Sequence, residues 1–217
     1  MPIKKIISDF DGVFANTLEL CLGQIETVSR SLGRIPPPRE EMIRLWGTQF
    51  EKFLGHFLPG ITMEMYLDKW REFGFDRAIP PFFEGVKEAI GIISGECPIS
   101  IVSNREKESL GIILKGNGFE PGDFFYVQSA SDTQYHKPDP RAFDPVLRLL
   151  NGSMERHEIL YVGDTLIDYE AAAGAGLCFA GVLSGGITTA EEFEKSGVEP
   201  RYILESFADL PGRLGSF

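Results

Sequence analysis

The chain has 217 residues, of which 43% are hydrophobic and 24% are charged. This composition is typical of a globular protein and excludes a disordered or collagen-like chain. The formal net charge is −11, from 21 Lys and Arg against 32 Asp and Glu. That balance argues against nucleic acid or an anionic membrane as a partner, because both require clustered positive charge.

In chain order, five short apolar runs predict strands that are buried on both faces, because polar and apolar residues do not alternate within them. Helical patterns lie between the runs, and this alternation favours an α/β fold with a Rossmann-like open parallel sheet. Ligands bind such sheets at the carboxyl ends of the strands. The predicted strands are 5–8, 99–103, 125–128, 159–162 and 178–183, and the predicted helices are 83–93, 106–115, 141–150 and 166–174.

Residues 15–80 break the alternation, because their patterns indicate helices and no convincing strand. We therefore expect two domains. The first is a catalytic core made of residues 1–14 and 81–217. The second is a helical cap of residues 15–80, inserted after the first strand. Its predicted helices are 17–32, 40–45, 51–58 and 63–73.

The cysteines Cys21, Cys97 and Cys178 are far apart in the sequence. Three cysteines without a CxxC pair give no disulfide framework, which favours a reducing compartment. No apolar run approaches the ~18 residues of a membrane span, and the N-terminal apolar stretch is too short for a signal peptide. We expect a cytoplasmic protein, either a monomer or a homodimer.

Acidic residues follow the first and the fourth predicted strands. Asp9 and Asp11 are two residues apart, and Gly12 permits the turn that would bring both carboxylates to one pocket. Asp164 follows the fourth strand, and Asp168 lies one helical turn later on the same face. Taken singly, the first pair also fits an exposed acidic turn, and the second pair fits a helix cap and a first-turn acid.

Two further polar clusters follow predicted strands. Ser103, Asn104 and Arg105 precede a predicted helix, where a hydroxyl and backbone N–H groups form an anion site. A simple N-cap is the alternative interpretation of Ser103 or Asn104. Lys137 lies before Pro138 in a segment whose two prolines fix the backbone, although a lysine in a loop is usually just solvated.

The charges of these clusters balance around a phosphate monoester only when a metal ion is present. Asp9, Asp11 and Asp164 supply three negative charges, and the phosphate adds about two more. Lys137 and Mg²⁺, which prefers hard oxygen ligands, would supply the opposing positive charge. Without both of them the phosphate would be repelled.

The four clusters resemble, in the same order, the four motifs of the haloacid dehalogenase-like hydrolase superfamily. The resemblance covers almost the whole chain. The place of the predicted cap is similar to that in the phosphoglycolate phosphatase-like and phosphosugar phosphatase or mutase branch. This resemblance implies a Mg²⁺-dependent phosphatase that hydrolyses a small phosphorylated metabolite, phosphoglycolate-like or a sugar phosphate. The matching segments are DFDGV at 9–13, the Ser103 turn, Lys137 before proline, and GDTLID at 163–168.

The resemblance also implies roles for the acidic residues. Asp9 would be the nucleophile that forms an aspartyl-phosphate, and Asp11 would be the general acid and base. Mg²⁺ would be held by the Asp9 carboxylate, the Asp11 backbone carbonyl and Asp164. Dehalogenases of the superfamily lack an acid at the position of Asp11, so phosphoryl chemistry is expected here.

The remaining matched residues would hold the phosphoryl group. Ser103 and the Asn104 N–H would bind its oxygens, and Lys137 would neutralise developing charge and orient the nucleophile. Asp168 would pair with Lys137 or with a metal-bound water. In the cap, Arg44 belongs to a segment that resembles the loop touching substrate, so it is a candidate partner for a substrate carboxylate or second phosphate, although an ordinary surface arginine fits as well.

Aromatic residues recur on one helix face of the cap, which predicts packing inside the cap in preference to stacking on a substrate. These residues are Trp46, Phe50, Phe53 and Phe57.

Two other functions stay open at this stage. A phosphomutase of the β-phosphoglucomutase type would use the same Asp9 and Asp11, but its phospho-enzyme must resist water. A non-catalytic protein that binds a phosphometabolite is the third hypothesis. Both aspartates are intact, which argues against the third.

Overall fold

Six parallel strands form one sheet in the order β3-β2-β1-β4-β5-β6. The computed structural model describes residues 3–150, 152 and 154–217. Positions 1, 2, 151 and 153, which belong to the predicted core, lie outside the described residues. The predicted α/β Rossmann-like fold is confirmed. The strands are β1 (Lys5–Ser8), β2 (Ile99–Val102), β3 (Tyr126–Gln128), β4 (Ile159–Gly163), β5 (Cys178–Val182) and β6 (Ile203–Leu204).

Strand β1 lies at the centre of the sheet and is buried along its whole length. Its Ser8 is opposite Ile101 of β2 and Val162 of β4. Because side chains alternate along a strand, Ile6 packs into the apolar cluster on one face of the sheet and Ile7 into the cluster on the other. Helices on both faces explain why the strand sequences are apolar without alternation.

Nine α-helices occur among the described residues. Eight of them correspond to predicted helices, in most cases within two residues of the predicted bounds, and the helix over Ala190–Ser196 was not predicted. The helix predicted at 141–150 is shorter: a 3₁₀ turn over Pro140–Phe143 precedes an α-helix that begins at Asp144. Pro145 explains this, because proline lacks an N–H and is tolerated only in a helix's first turn. The helices are α1 (Leu18–Ser31), α2 (Arg39–Arg44), α3 (Phe50–Phe57), α4 (Met63–Glu72), α5 (Val86–Ser94), α6 (Lys107–Gly116), α7 (Asp144–Leu149), α8 (Leu166–Ala175) and α9 (Ala190–Ser196).

Helices α1 to α4 enclose an apolar cluster of their own, which supports our proposed cap at residues 15–80. The two connections to the core run side by side: the Asn16 N–H donates to the Pro81 carbonyl at 2.9 Å, and the Phe83 N–H donates to the Phe14 carbonyl at 2.9 Å. Within the described part of the chain, no helix combines the length and apolar character needed to cross a membrane. The buried members of the cap cluster are Leu22, Ile25, Val28, Met42, Phe53, Leu54, Leu58 and Tyr66.

Candidate active site

The carboxyl ends of β1, β2 and β4 bring three predicted site residues to one edge of the sheet. Asp9, Ser103 and Asp164 each follow one of these neighbouring strands. The Asp9 N–H donates to the Val162 carbonyl at 2.8 Å, which continues the pairing of β1 with β4 up to the site. All three residues are buried and line a common cavity.

Lys137 lies between the carboxylates of Asp9 and Asp168 and contacts both. Its Nζ lies 2.8 Å from Asp9 Oδ1 and 2.6 Å from Asp168 Oδ1. The same ammonium donates to the Tyr161 hydroxyl at 2.7 Å. The structure therefore brings Lys137 and Asp168 together, as the resemblance implied, and shows that this lysine is buried, not solvated.

Asp168 is fixed by several donors at the start of α8. Its Oδ2 accepts from the Thr165 N–H at 3.1 Å and from the Thr165 hydroxyl at 2.6 Å. Its Oδ1 accepts from the Tyr161 hydroxyl at 2.8 Å as well as from Lys137. Thr165 is the N-cap of this helix, so Asp164 is not the cap and its carboxylate is left for another role.

The Asp164 carboxylate is enclosed by backbone. A Cβ added at Gly12 or at Gly185 would overlap it, so these two glycines make the space it occupies. Gly12 also has a φ of 76°, a conformation that glycine adopts at little cost. Among the described residues, nothing hydrogen-bonds the buried Oδ2 of Asp164.

The electrostatics of the cluster reflect an excess of buried negative charge. Burial raises the pKa of Asp9 to about 7 against the opposing charge of Lys137, and the carboxylates of Asp168 and Asp11 add to the rise. Burial, followed by the charges of Asp168 and Asp9, raises the pKa of Asp164 well above its usual range. For Lys137, burial disfavours the charge, but Asp168 and Asp9 outweigh it and raise the pKa.

The residues present fit a hard divalent cation. Carboxylate oxygens of Asp9, Asp164 and Asp168 lie within 4.8 Å of one another and are buried. Asp168 already accepts from Lys137, Tyr161 and Thr165, whereas Asp164 Oδ2 is buried without a donor. Asp9 and Asp164 are therefore the better ligands, and oxygen donors of this kind suit Mg²⁺.

Asp11 faces the same cavity but has a partner that the sequence did not reveal. Arg105 Nε lies 2.8 Å from Asp11 Oδ2, and Arg105 Nη2 lies 2.6 Å from Asp11 Oδ1. The guanidinium also donates to Ser109 Oγ at 2.6 Å. The sequence predicts Arg105 only as a member of the Ser103 cluster, but the fork-shaped guanidinium is suited to holding a carboxylate in this way.

Asn104 ties three segments together. Its Nδ2 donates to the Gly47 carbonyl in the cap at 2.7 Å and to the Lys137 carbonyl at 3.0 Å, and its Oδ1 accepts from the Lys137 N–H at 3.1 Å. The N-cap of α6 is Glu106, so the simpler N-cap interpretation of Ser103 and Asn104 does not apply. Ser103 Oγ accepts from the Arg105 N–H at 3.2 Å.

The cap residues that line the cavity differ from the one that the sequence suggested. Arg44 is exposed in the last turn of α2 and does not belong to the described lining of the cavity, so the structure does not bring it to the site. The residues that follow it, from Leu45 to Thr48, line the cavity instead. In the aromatic stripe, Phe53 is buried in the cap cluster and Phe57 packs against it, as predicted, but Trp46, Phe50 and Phe53 also line the cavity.

Residues 6–182 match the family described as haloacid dehalogenase-like hydrolase, and the chain belongs to that family. A phosphoglycolate phosphatase of Pectobacterium atrosepticum is 30% identical over 135 residues, which cover 61% of this chain and 55% of that protein. This chain thus spans little more than half the length of that relative. A phosphoglycolate phosphatase of Thiobacillus denitrificans is 25% identical over 189 residues, which cover 81% of this chain and 81% of that protein.

The solved structure of a hydrolase from Pseudomonas syringae superposes with a TM-score of 0.78 at 21% identity, covering 99% of both chains. At this identity the likeness shows the fold. Together these findings confirm the predicted family of haloacid dehalogenase-like hydrolases, and two similar proteins are named as phosphoglycolate phosphatases.

Proposed function

We propose that the chain is a Mg²⁺-dependent phosphatase that hydrolyses the monoester of a small metabolite through an aspartyl-phosphate on Asp9. One observation carries the proposal. A buried Asp9, paired with Lys137 at 2.8 Å, lies beside the unpaired carboxylate oxygen of Asp164 at the floor of a cavity. A nucleophile, a charge-neutralising ammonium and a place for a cation are the parts that phosphoryl transfer requires.

Asp9 and Asp164 would hold the cation, with the backbone carbonyl of Asp11 as the third protein ligand that the resemblance implies. When bound, Mg²⁺ supplies positive charge that offsets the repulsion between these carboxylates and a phosphoryl group.

In the first step, an oxygen of the Asp9 carboxylate attacks phosphorus in line with the ester oxygen. The bond between phosphorus and that oxygen breaks, and its electron pair stays on the leaving oxygen, which takes a proton from Asp11. Lys137, the Ser103 hydroxyl and the Asn104 N–H stabilise the charge that develops on the phosphoryl oxygens. In the second step water attacks phosphorus, the bond between phosphorus and the Asp9 oxygen breaks, and its electron pair returns to the Asp9 carboxylate. Asp11 takes the proton that water loses and holds it for the leaving oxygen of the next turnover.

Arg105 constrains this cycle. Both carboxylate oxygens of Asp11 accept from its guanidinium. Asp11 must exchange one of these contacts for the leaving oxygen before it donates a proton. We propose that Arg105 is a positioning residue, which holds Asp11 beside the cavity between turnovers.

The test is phosphate release from a panel of phosphate monoesters with Mg²⁺ present. Asp9→Asn removes the nucleophile, and we expect a loss of roughly 10³-fold or more in kcat. The control is Asp68→Asn, an exposed carboxylate on α4, which we expect to keep the full rate. A near-normal rate for Asp9→Asn would contradict the proposal, as would a wild-type rate that survives chelation by EDTA.

The same assay distinguishes the mutase alternative. A phosphatase passes each phosphoryl group to water, so phosphate release continues over many turnovers. A mutase would accumulate a phospho-enzyme that resists water and would release little phosphate from any single ester.

A further inference from the structure

The cavity above Asp9 is much larger than a phosphoryl group needs. Its volume is about 570 Å³, and most of its lining away from the sheet is apolar and comes from the cap. The chain contains two tryptophans, and both Trp46 and Trp70 line this cavity. Phe50 and Tyr66 add two more rings, packed edge to face with centroids 5.0 Å apart.

The cavity is not simply a gap left by a cap that stands open. Asn104 of the core donates to the Gly47 carbonyl of the cap at 2.7 Å. A second cap residue, Arg71, makes an ion pair with Glu108 of α6 at 3.4 Å. The cavity is therefore present while the cap contacts the core through both links.

The charges around the cavity disfavour a second anionic group on the substrate. Two cationic side chains occur among the described lining residues, and both already have carboxylate partners. Arg105 is paired with Asp11 at 2.6 Å, and Lys107 with Asp132 at 2.9 Å. A substrate carboxylate, such as that of phosphoglycolate, would compete with Asp11 for Arg105, and the carboxylates of Glu106 and Glu108 in the same lining would repel it.

We propose that the organic group of the ester is a flat, apolar, aromatic body that fills this cavity while its phosphate lies against Asp9 and Lys137. The inference rests on the proposed function, because it assigns the leaving group of that same reaction. A pocket of this volume is ordinary for a small organic ligand, and aromatic walls suit an aromatic ring through offset or edge-to-face contacts. The polar floor and the apolar roof of one cavity thus match the two halves of one molecule.

Two esters of similar alcohols separate the effect of the cavity from that of leaving-group chemistry. Ethyl phosphate and 2-phenylethyl phosphate both release a primary alcohol, but only the second carries a ring. Burial of that ring predicts a kcat/KM roughly 50-fold or more higher for 2-phenylethyl phosphate. We expect 2-phosphoglycolate to be poorer than 2-phenylethyl phosphate as well.

A matched pair of variants on α4 tests whether the cavity causes the preference. Met63 lines the cavity, whereas Met65 is exposed and is not one of the described lining residues. Met63→Gln places a polar amide in the apolar wall, and we expect the ratio of the two kcat/KM values to fall about 10-fold. Met65→Gln is the control and should leave that ratio unchanged.

Binding provides a readout that does not depend on turnover. The Asp9→Asn variant should bind 2-phenylethyl phosphate more tightly than ethyl phosphate, and the ring should change the fluorescence of the two tryptophans that line the cavity. Equal affinities and equal kcat/KM values for the two esters, or a preference for 2-phosphoglycolate, would overturn the inference. Those results would leave the proposed phosphatase intact, because phosphate is still released, whereas Asp9-independent turnover or turnover that survives EDTA would contradict that function.

Discussion

Two buried lysines lie at opposite ends of strand β1, and their surroundings differ sharply. Lys137 lies at the carboxyl end, where two carboxylates and a hydroxyl contact its ammonium. Lys5 is the first residue of the strand and is fully buried. Its Nζ has no hydrogen-bond partner among the described residues and lies 3.6 Å from the centroid of the Phe125 ring.

The pKa values of the two lysines are shifted in opposite directions. Burial lowers the pKa of Lys5 to about 8, and the nearby Cys97 offsets this only in part. At Lys137, the carboxylates of Asp168 and Asp9 outweigh burial and raise the pKa. Burial therefore does not decide the charge of a lysine by itself. The surroundings at the carboxyl end of β1 stabilise the charged ammonium of Lys137, whereas those at the amino end destabilise the charged ammonium of Lys5.

Lys137→Met tests the charged end and should have the largest effect. The substitution leaves Asp9 and Asp168 buried without their counter-charge, so we expect kcat to fall roughly 10³-fold. Because an unpaired buried charge is costly, the free energy of unfolding should fall by about 3–5 kcal/mol. Phosphate release and urea denaturation measure the two quantities.

The matched control for that variant is Lys195→Met, which removes an exposed lysine paired with Glu191 on α9. An exposed pair of this kind contributes less than about 1 kcal/mol, so rate and stability should stay near those of the wild type. If Lys137→Met also behaved like the wild type, the carboxylates at the end of β1 would not depend on the lysine.

Gly12→Ala disturbs the same end of β1 without changing any charge. A Cβ at position 12 would overlap the Asp164 carboxylate, and displacement by about 1 Å at a catalytic site costs roughly 10²-fold in rate. Gly33→Ala is the control, because Gly33 has a similar φ of 68° but no heavy atom within 4 Å of the added Cβ. Both variants should lose about 1 kcal/mol of stability from the positive φ, but only Gly12→Ala should lose activity. Equal rates for the two would show that Asp164 need not occupy its present place.

The charged end of β1 was largely predictable because its residues follow strands. Parallel strands end at one edge of the sheet, so motifs that follow β1, β2 and β4 must meet there. Tyr161 was missed, yet the signal was present: a tyrosine inside a buried strand needs a partner for its hydroxyl. The pairing of Arg105 with Asp11 was missed although both residues follow neighbouring strands, because the strand order shows which loops meet but not which of their side chains pair.

The apolar roof of the cavity was the least predictable part. Trp70 and Tyr66 lie on α4 and reach the cavity only through the way the cap packs on the core. A helical pattern shows which face is apolar, but not whether that face meets another helix or a cavity. In the core, the five predicted strands occur, while β6 was missed because it is only two residues long and has no recognisable run.

Lys5→Met tests the uncharged end, and its effect should be the smallest and of opposite sign. In the unfolded chain the lysine keeps its ordinary pKa of 10.5, whereas in the folded protein the pKa is about 8. Below the lower value both states are protonated and folding bears the full cost of burying an ammonium. The free energy of unfolding therefore increases, through Lys5, as the pH rises from about 8 to 10.5. Methionine carries no such cost, so we expect the free energy of unfolding to increase by about 2 kcal/mol near neutral pH. This gain should shrink as the pH approaches about 10.

Urea denaturation near neutral pH and near pH ~10 measures the gain in stability. Lys4→Met is the control, because Lys4 is half exposed and paired with Glu158. A loss of stability in Lys5→Met would show that the contact with Phe125 compensates the ammonium, and the two ends of β1 would then be less different than their hydrogen bonds indicate.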